Sequence, residues 1–80
     1  MYYVYFLKSI NYPDQIYIGY TNNLKERFQK HNNGGCTHTS KYKPWQIHAY
    51  FAFNKKEQAS AFEKYLKSGS GFSFAQRHFW

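Results

Sequence analysis

The sequence predicts an α/β (α+β) fold: a small three-stranded, mainly antiparallel sheet flanked by helices, α/β sandwich-like in its layers. Three observations carry this. Two aromatic and β-branched runs are separated only by turn residues, a third such run lies at 46–53, and two stretches of helical period end at glycine-rich breaks. With 80 residues, the chain is the size of one module and has no room for a second independent core.

The first run, "YYVYFLKS" at 2–9, is apolar on both alternating faces, which predicts a central strand. "INYPDQ" supplies Asn11, Pro13 and Asp14 for a tight reversal, and "IYIGY" at 16–20 follows as the second strand of a hairpin. Thr21, Asn22 and Asn23 are all suitable N-caps for a helix over 23–32, and "NNGG" at 32–35 stops it. Residues 36–45, "CTHTSKYKPW", carry no period and read as a cationic loop. "QIHAYFAF" at 46–53 is the third strand, with Ile47, Ala49, Phe51 and Phe53 on one face and Gln46, His48, Tyr50 and Ala52 on the other. A second helix opens on Asn54 as N-cap, with Glu57 completing a capping box, and runs to Lys67, where "SGSG" at 68–71 breaks it. The tail "FSFAQRHFW" predicts a short terminal helix whose Phe72, Phe74, Phe79 and Trp80 dock on the sheet.

Nine Tyr, eight Phe and two Trp supply enough apolar area for a core without a disulfide or metal staple. Against eleven Lys and Arg stand four acids, for a net charge of +7, which points to a polyanionic partner. Nucleic acid is favoured over an anionic membrane surface, because no basic amphipathic helix with a broad exposed apolar face is visible. Cys36 is the only cysteine, so no internal disulfide forms and nothing argues for an oxidising compartment. The longest apolar run, Tyr2 to Leu7, is far too short to span a bilayer, and the expected location is the cytoplasm, on the nucleoid.

Two polar residues sit where apolar ones belong. At 100° per residue, Leu24, Arg27, Phe28 and His31 share one stripe of the first helix, while Glu26 faces water. In the second helix Ala59, Phe62, Glu63 and Leu66 form the inner stripe, with Glu63 its single carboxylate. Each has an ordinary structural account. Arg27 can snorkel from a stripe edge, His31 can cap a helix C-terminus, and Glu63 can pair with a neighbouring lysine or with Arg27. Their joint placement toward the sheet raises the case for a cleft over a sealed core, since an unpaired buried charge is expensive.

In this order the elements and residues resemble the GIY-YIG nuclease family, in particular its small stand-alone bacterial branch, similar to the nuclease domain that opens a nucleotide excision repair endonuclease. Tyr3-Val4-Tyr5 and Tyr17-Ile18-Gly19 correspond to the two motifs, followed by "YTNNLKER", "KHNNG", "SKYKPW", "FEKYLK" and "SGSG" over nearly the whole chain. The resemblance implies a phosphodiester hydrolase with one Mg²⁺ or Mn²⁺, acting on nucleic acid, with DNA favoured over RNA and the choice left open. By it, Tyr5, Tyr17, Arg27 and His31 are catalytic, Glu63 binds the metal, and Gly19 lets substrate approach the backbone. Lys25, Lys41, Lys43 and Lys67 are the expected nucleic-acid contacts. The residue inventory is consistent: four scattered acids do not build a two-metal cluster, whereas one carboxylate suffices for an ion that keeps its waters. The general base, Tyr17 or His31, is left open. Two departures stand out. Tyr3 occupies the position of the first motif's glycine, and Phe72 stands where relatives often carry a basic residue. A core of this size would take its selectivity from substrate shape or from a protein partner.

The rival readings are a non-catalytic nucleic-acid-binding module on the same fold and a zinc site from His31, Cys36 and His38, whose spacing fits no common zinc signature. An RNA-recognition-motif fold is disfavoured, because it places a helix between its first two strands.

Overall fold

The computed structural model describes residues 1–80. The chain runs β1 (Tyr2–Ser9), β2 (Ile16–Thr21), α1 (Leu24–Asn32), α2 (Thr37–Ser40), β3 (Trp45–Phe53), α3 (Lys56–Lys67) and α4 (Gly69–His78). The strands form one antiparallel sheet in the order β2-β1-β3. The run that is apolar on both faces is therefore the central strand, as its composition requires, and Val4, Tyr5, Phe6 and Leu7 are all fully buried.

Consecutive residues of β1 serve two different cores. Val4 and Phe6 pack with Ile18, Ala59, Leu66 and Ala75 on the side covered by α3 and α4. Tyr5 and Leu7 pack with Trp45 on the other side, flanked by Leu24 and Phe28 of α1. Burying each large apolar side chain contributes about 1.5–3 kcal/mol, which is how so short a chain keeps two layers of helix on a three-stranded sheet.

The alternation expected along β3 is interrupted. Phe6 pairs with Ala49 but Leu7 pairs with Ile47, so His48 is the extra residue of a β-bulge. The bulge turns Ile47 to the Tyr5 and Leu7 side, away from Ala49, Phe51 and Phe53. His48 instead stacks on Trp80, which stacks on Phe6.

Caps and loops bring three further corrections. Asn23 is the N-cap of α1, accepting from the Glu26 amide at 3.1 Å, and Gly34 takes φ 79° just past the helix end. The cap of α3 is Lys55, without a side-chain bond. Asn54 therefore lies one residue too early, and Glu57 falls one residue short of the position a capping box needs. The segment expected to be loop contains α2, one helical turn ordered by tertiary bonds: the Trp45 indole N–H donates to the Thr39 carbonyl at 2.8 Å. Asn32 brackets Trp45, donating to its carbonyl at 3.1 Å and accepting from its amide at 2.6 Å.

"SGSG" is a corner rather than an unstructured break. Ser68 ends α3 and caps α4, its side chain accepting from the Gly71 amide at 3.3 Å. A Cβ on Gly71 would lie 1.7 Å from the Tyr65 carbonyl oxygen, so only glycine lets α4 fold back this tightly. Phe79 and Trp80 pack on the sheet as expected, whereas Phe72 and Phe74 are exposed, the inner face of α4 being made by Gly71 and Ala75. No helix is long and apolar enough to cross a membrane.

Candidate active site

The two motif strands lie side by side, with Tyr5 directly opposite Gly19 and Leu7 opposite Tyr17. A Cβ on Gly19 would stand 2.4 Å from both Cζ and the hydroxyl of Tyr5 and 2.9 Å from Cε2 of Tyr17. The space that a Cβ on Gly19 would take is thus filled by the Tyr5 phenol. This close cross-strand fit seats the end of the Tyr5 ring over Gly19, with its hydroxyl reaching His31 of α1.

There the Tyr5 hydroxyl meets His31 Nε2 at 2.8 Å, and Nδ1 of the same ring meets the Thr39 hydroxyl at 2.7 Å. His31 is 1% exposed, and both of its nitrogens are occupied. A neutral imidazole offers one donor and one acceptor. Thr39 donates to the Cys36 carbonyl at 3.4 Å and so accepts from Nδ1–H, which leaves Nε2 to accept the Tyr5 proton. Burial, with the neighbouring Tyr17, pushes the Tyr5 hydroxyl well above its ordinary range, partly offset by the Arg27 charge. Tyr5 is accordingly a neutral donor at working pH. Burial also lowers the His31 pKa, helped by the positive charges of Arg27 and Lys30. With both nitrogens used, His31 has nothing left for a zinc ion shared with Cys36 and His38.

Tyr17 completes an aromatic cluster, its ring centroid 6.2 Å from Tyr5 and 5.0 Å from His31. Unlike Tyr5 it is half-buried, and its hydroxyl has no protein partner. Tyr17 lies on β2, an edge strand, where α3 supplies Lys67 with its amine 5.7 Å from the Tyr17 ring centre. The same amine donates to Glu63 Oε2 at 2.9 Å, which links the carboxylate to the aromatic cluster. Arg27 acts electrostatically on both Tyr5 and His31 and lines a neighbouring cavity of about 350 Å³ with Tyr20, Thr21 and Lys56.

The structure therefore joins Tyr5, Tyr17 and His31 directly, sets Arg27 beside them, and brings Glu63 near through Lys67. The other expected contact lysines lie apart from this cluster: Lys25 lines a cavity with Tyr3 and Tyr50, Lys41 sits over its neighbour Tyr42, and Lys43 is exposed. Sequence reasoning missed Thr39, Asn32 and Lys56. Thr39 holds the histidine from a segment without any period, and only the spatial neighbourhood of His31 could reveal it.

Residues 1–74 match the family model described as the GIY-YIG catalytic domain. This chain belongs to the GIY-YIG family. It is 38% identical over 68 residues to the UPF0213 protein CPE1444 of Clostridium perfringens, covering 84% of this chain and 71% of that one. It is also 38% identical over 71 residues to the structure-specific endonuclease subunit SLX1 of Debaryomyces hansenii, covering 80% of this chain but only 20% of the relative. The solution NMR structure of the UPF0213 protein BH0048 from Bacillus halodurans is similar at TM-score 0.57 and 33% identity, covering 96% of this chain and 82% of that chain. The paired GIY-YIG motif strands and the helices around them are thus the family's architecture.

Within this GIY-YIG site the neutral His31 makes stability depend on pH. The folded protein resists protonating His31, while the unfolded chain titrates at the ordinary value of 6.5. Below that pH the unfolded state binds the extra proton, so stability is full above 6.5 and is lost as pH falls. Thermal unfolding followed from neutral to acid pH should show a falling Tm, and His31→Gln should lower Tm at neutral pH while removing this part of the acid slope. An unchanged slope would mean that other groups set the acid limit.

Proposed function

We propose that this protein is a divalent-metal-dependent endonuclease that hydrolyses phosphodiester bonds of nucleic acid, DNA ahead of RNA, with little intrinsic sequence specificity. The observation that carries this reading is the pairing of roles between the two tyrosines. Tyr5 is sealed, neutral and committed to His31, whereas Tyr17 carries a hydroxyl without a protein partner at the open sheet edge beside Lys67 and Glu63.

In this reading the Tyr17 hydroxyl orients the attacking water by a hydrogen bond, and the proton that water loses passes to bulk solvent at the open edge of the site. The chain of Tyr5, His31 and Thr39 fixes the aromatic cluster against which Tyr17 rests. Arg27 supplies positive charge where negative charge develops on the phosphate in the transition state. Glu63 is the residue that would hold Mg²⁺ or Mn²⁺. Its Oε2 is taken by Lys67, its Oε1 has no protein partner, and no group of three His, Cys, Asp or Glu gathers into a closed metal cage. One open carboxylate oxygen fits a hard ion that keeps several waters and takes substrate phosphate as a ligand. Bound there, the ion would supply Lewis-acid stabilisation of the phosphate.

Selectivity would come from backbone geometry and from a protein partner, a reading supported by the similarity to SLX1, which is named as a subunit of a structure-specific endonuclease. The test is a panel of labelled single-stranded, duplex, flap and branched DNA and RNA, incubated with Mg²⁺, Mn²⁺ or EDTA. Metal-dependent cutting is expected, and Tyr17→Phe should lower its rate by about 10²-fold with binding unchanged. Binding without cutting on every substrate would instead make the chain a non-catalytic binding module.

A further inference from the structure

Phe72 is the one large apolar residue beside Tyr17 that the fold does not use. It lies in the first turn of α4 with 46% of its surface exposed, and its ring has no aromatic partner, although Phe74, two residues on, packs with Tyr65, His78 and Phe79. Across from it lies Tyr17. Between them is a cavity of about 240 Å³ lined by Ile16, Tyr17, Ile18, Leu66, Lys67 and Phe72. Apolar groups make five of these six residues, and the sixth is the Lys67 ammonium that stands over the Tyr17 ring.

We infer that this notch holds one unpaired nucleobase of the substrate strand, stacked on Phe72, and that Phe72 thereby directs the enzyme to single-stranded or branched nucleic acid. The inference rests on the reading of Tyr17 as the centre of the nuclease site. Several features select this occupant. The cavity is smaller than a pocket for a drug-sized ligand and suits a single ring system. Its apolar lining and exposed phenyl face offer stacking, available from any base and independent of sequence. Lys67 at its rim offers a cation to the phosphate attached to that base. The notch also opens beside Tyr17, where the nucleic-acid backbone must already lie for cleavage. In a duplex each base is stacked on its neighbours and paired, so entry would require flipping it out, whereas a base in a single strand, flap or junction enters without that cost.

The experiment is an equilibrium titration of the full chain in EDTA, so that binding is read without turnover. The probes are short single-stranded DNA and RNA oligonucleotides carrying one 2-aminopurine, with the matching duplex as comparison. Stacking should quench the 2-aminopurine fluorescence on binding. Phe72→Ala should weaken single-strand affinity by about 5–100-fold and abolish the quench, leaving duplex affinity unchanged, while Phe72→Tyr should retain both. Because Phe72 is exposed, the variants should melt with the parent, and that is checked by circular dichroism. Comparing DNA with RNA shows which sugar the site accepts. If Phe72→Ala binds and quenches like the parent, the base platform is wrong even though metal-dependent cleavage persists. Phe72-dependent binding by a parent protein that cuts nothing would retain the platform and sink the nuclease. A parental dimer in sedimentation that Phe72→Ala turns into monomer would overturn the proposal, assigning the exposed ring to a second copy of the chain.

Discussion

Glu63→Gln should leave the fold and nucleic-acid affinity in place while metal-dependent cleavage falls by at least about a hundredfold. A metal's stabilisation of transition-state charge is worth several kcal/mol, and each 1.4 kcal/mol is a factor of about ten. The substitution keeps the shape of the side chain and removes the charge that a hard cation needs. Its structural cost is small, because the Glu63–Lys67 pair at 2.9 Å is an i,i+4 contact whose lysine is half exposed, the kind of pair worth about 0.2–1 kcal/mol. Lys67, released from its partner, keeps its charge beside Tyr17, so affinity for a polyanion is held or slightly raised. Cleavage, fluorescence anisotropy with labelled oligonucleotide, and Mn²⁺ binding followed by water relaxation separate these effects. Parental cleavage in the variant would remove Glu63 from the metal site. Loss of cleavage with undiminished Mn²⁺ binding would keep Glu63 essential but assign the ion to other ligands.

The parts of this molecule that were legible in the sequence are those where one local pattern suffices. Tyr2 to Ser9 reads as a central strand because both of its faces are apolar, and the sheet order places it there. Arg27, His31 and Glu63 stand out because helical arithmetic sets a polar group on an apolar stripe. The features that escaped depend on partners distant in sequence. His48 bulges out of a strand whose alternation looks regular, and the shift between Phe6 and Leu7 is visible only once β3 is laid on β1. Thr39 becomes a site residue because Trp45 and His31 order α2 around it, not because "THTS" favours a helix. Hydrophobicity alone puts Phe72 and Phe74 inside. The close approach of Gly71 to Tyr65 rotates α4 so that small residues face inward and both rings face out. Of the two, Phe74 packs with Tyr65, His78 and Phe79, and Phe72 alone is left lining the notch beside Tyr17.

Gly19→Ala should cost both stability and activity, and the relation between the two losses tells which role the glycine plays. Its new methyl would meet Tyr5 Cζ and hydroxyl at 2.4 Å and Tyr17 Cε2 at 2.9 Å, all distances that force a neighbour to move. Tyr5 has no room to yield, being fully buried and hydrogen-bonded to His31 at 2.8 Å. Overpacking costs about 1–3 kcal/mol, and pulling the phenol off His31 leaves a buried nitrogen unpaired at about 1–3 kcal/mol more. The expected loss is thus at least about 2 kcal/mol, roughly 10 °C in Tm for a chain of this length. Cleavage per folded molecule should also fall by about tenfold or more, because displacing Tyr5 disturbs the cluster against which Tyr17 rests. Gly69→Ala is the internal control: a Cβ there meets nothing within 4 Å, so Tm should hold or rise. A cycle with Tyr5→Leu isolates the clash, since Gly19→Ala should cost markedly less once the ring is gone. An unchanged Tm with activity alone reduced would mean that the ring yields easily and that the missing Cβ serves the approach of substrate; a loss of both, relieved in the Tyr5→Leu background, makes Gly19 the seat on which the buried tyrosine is held.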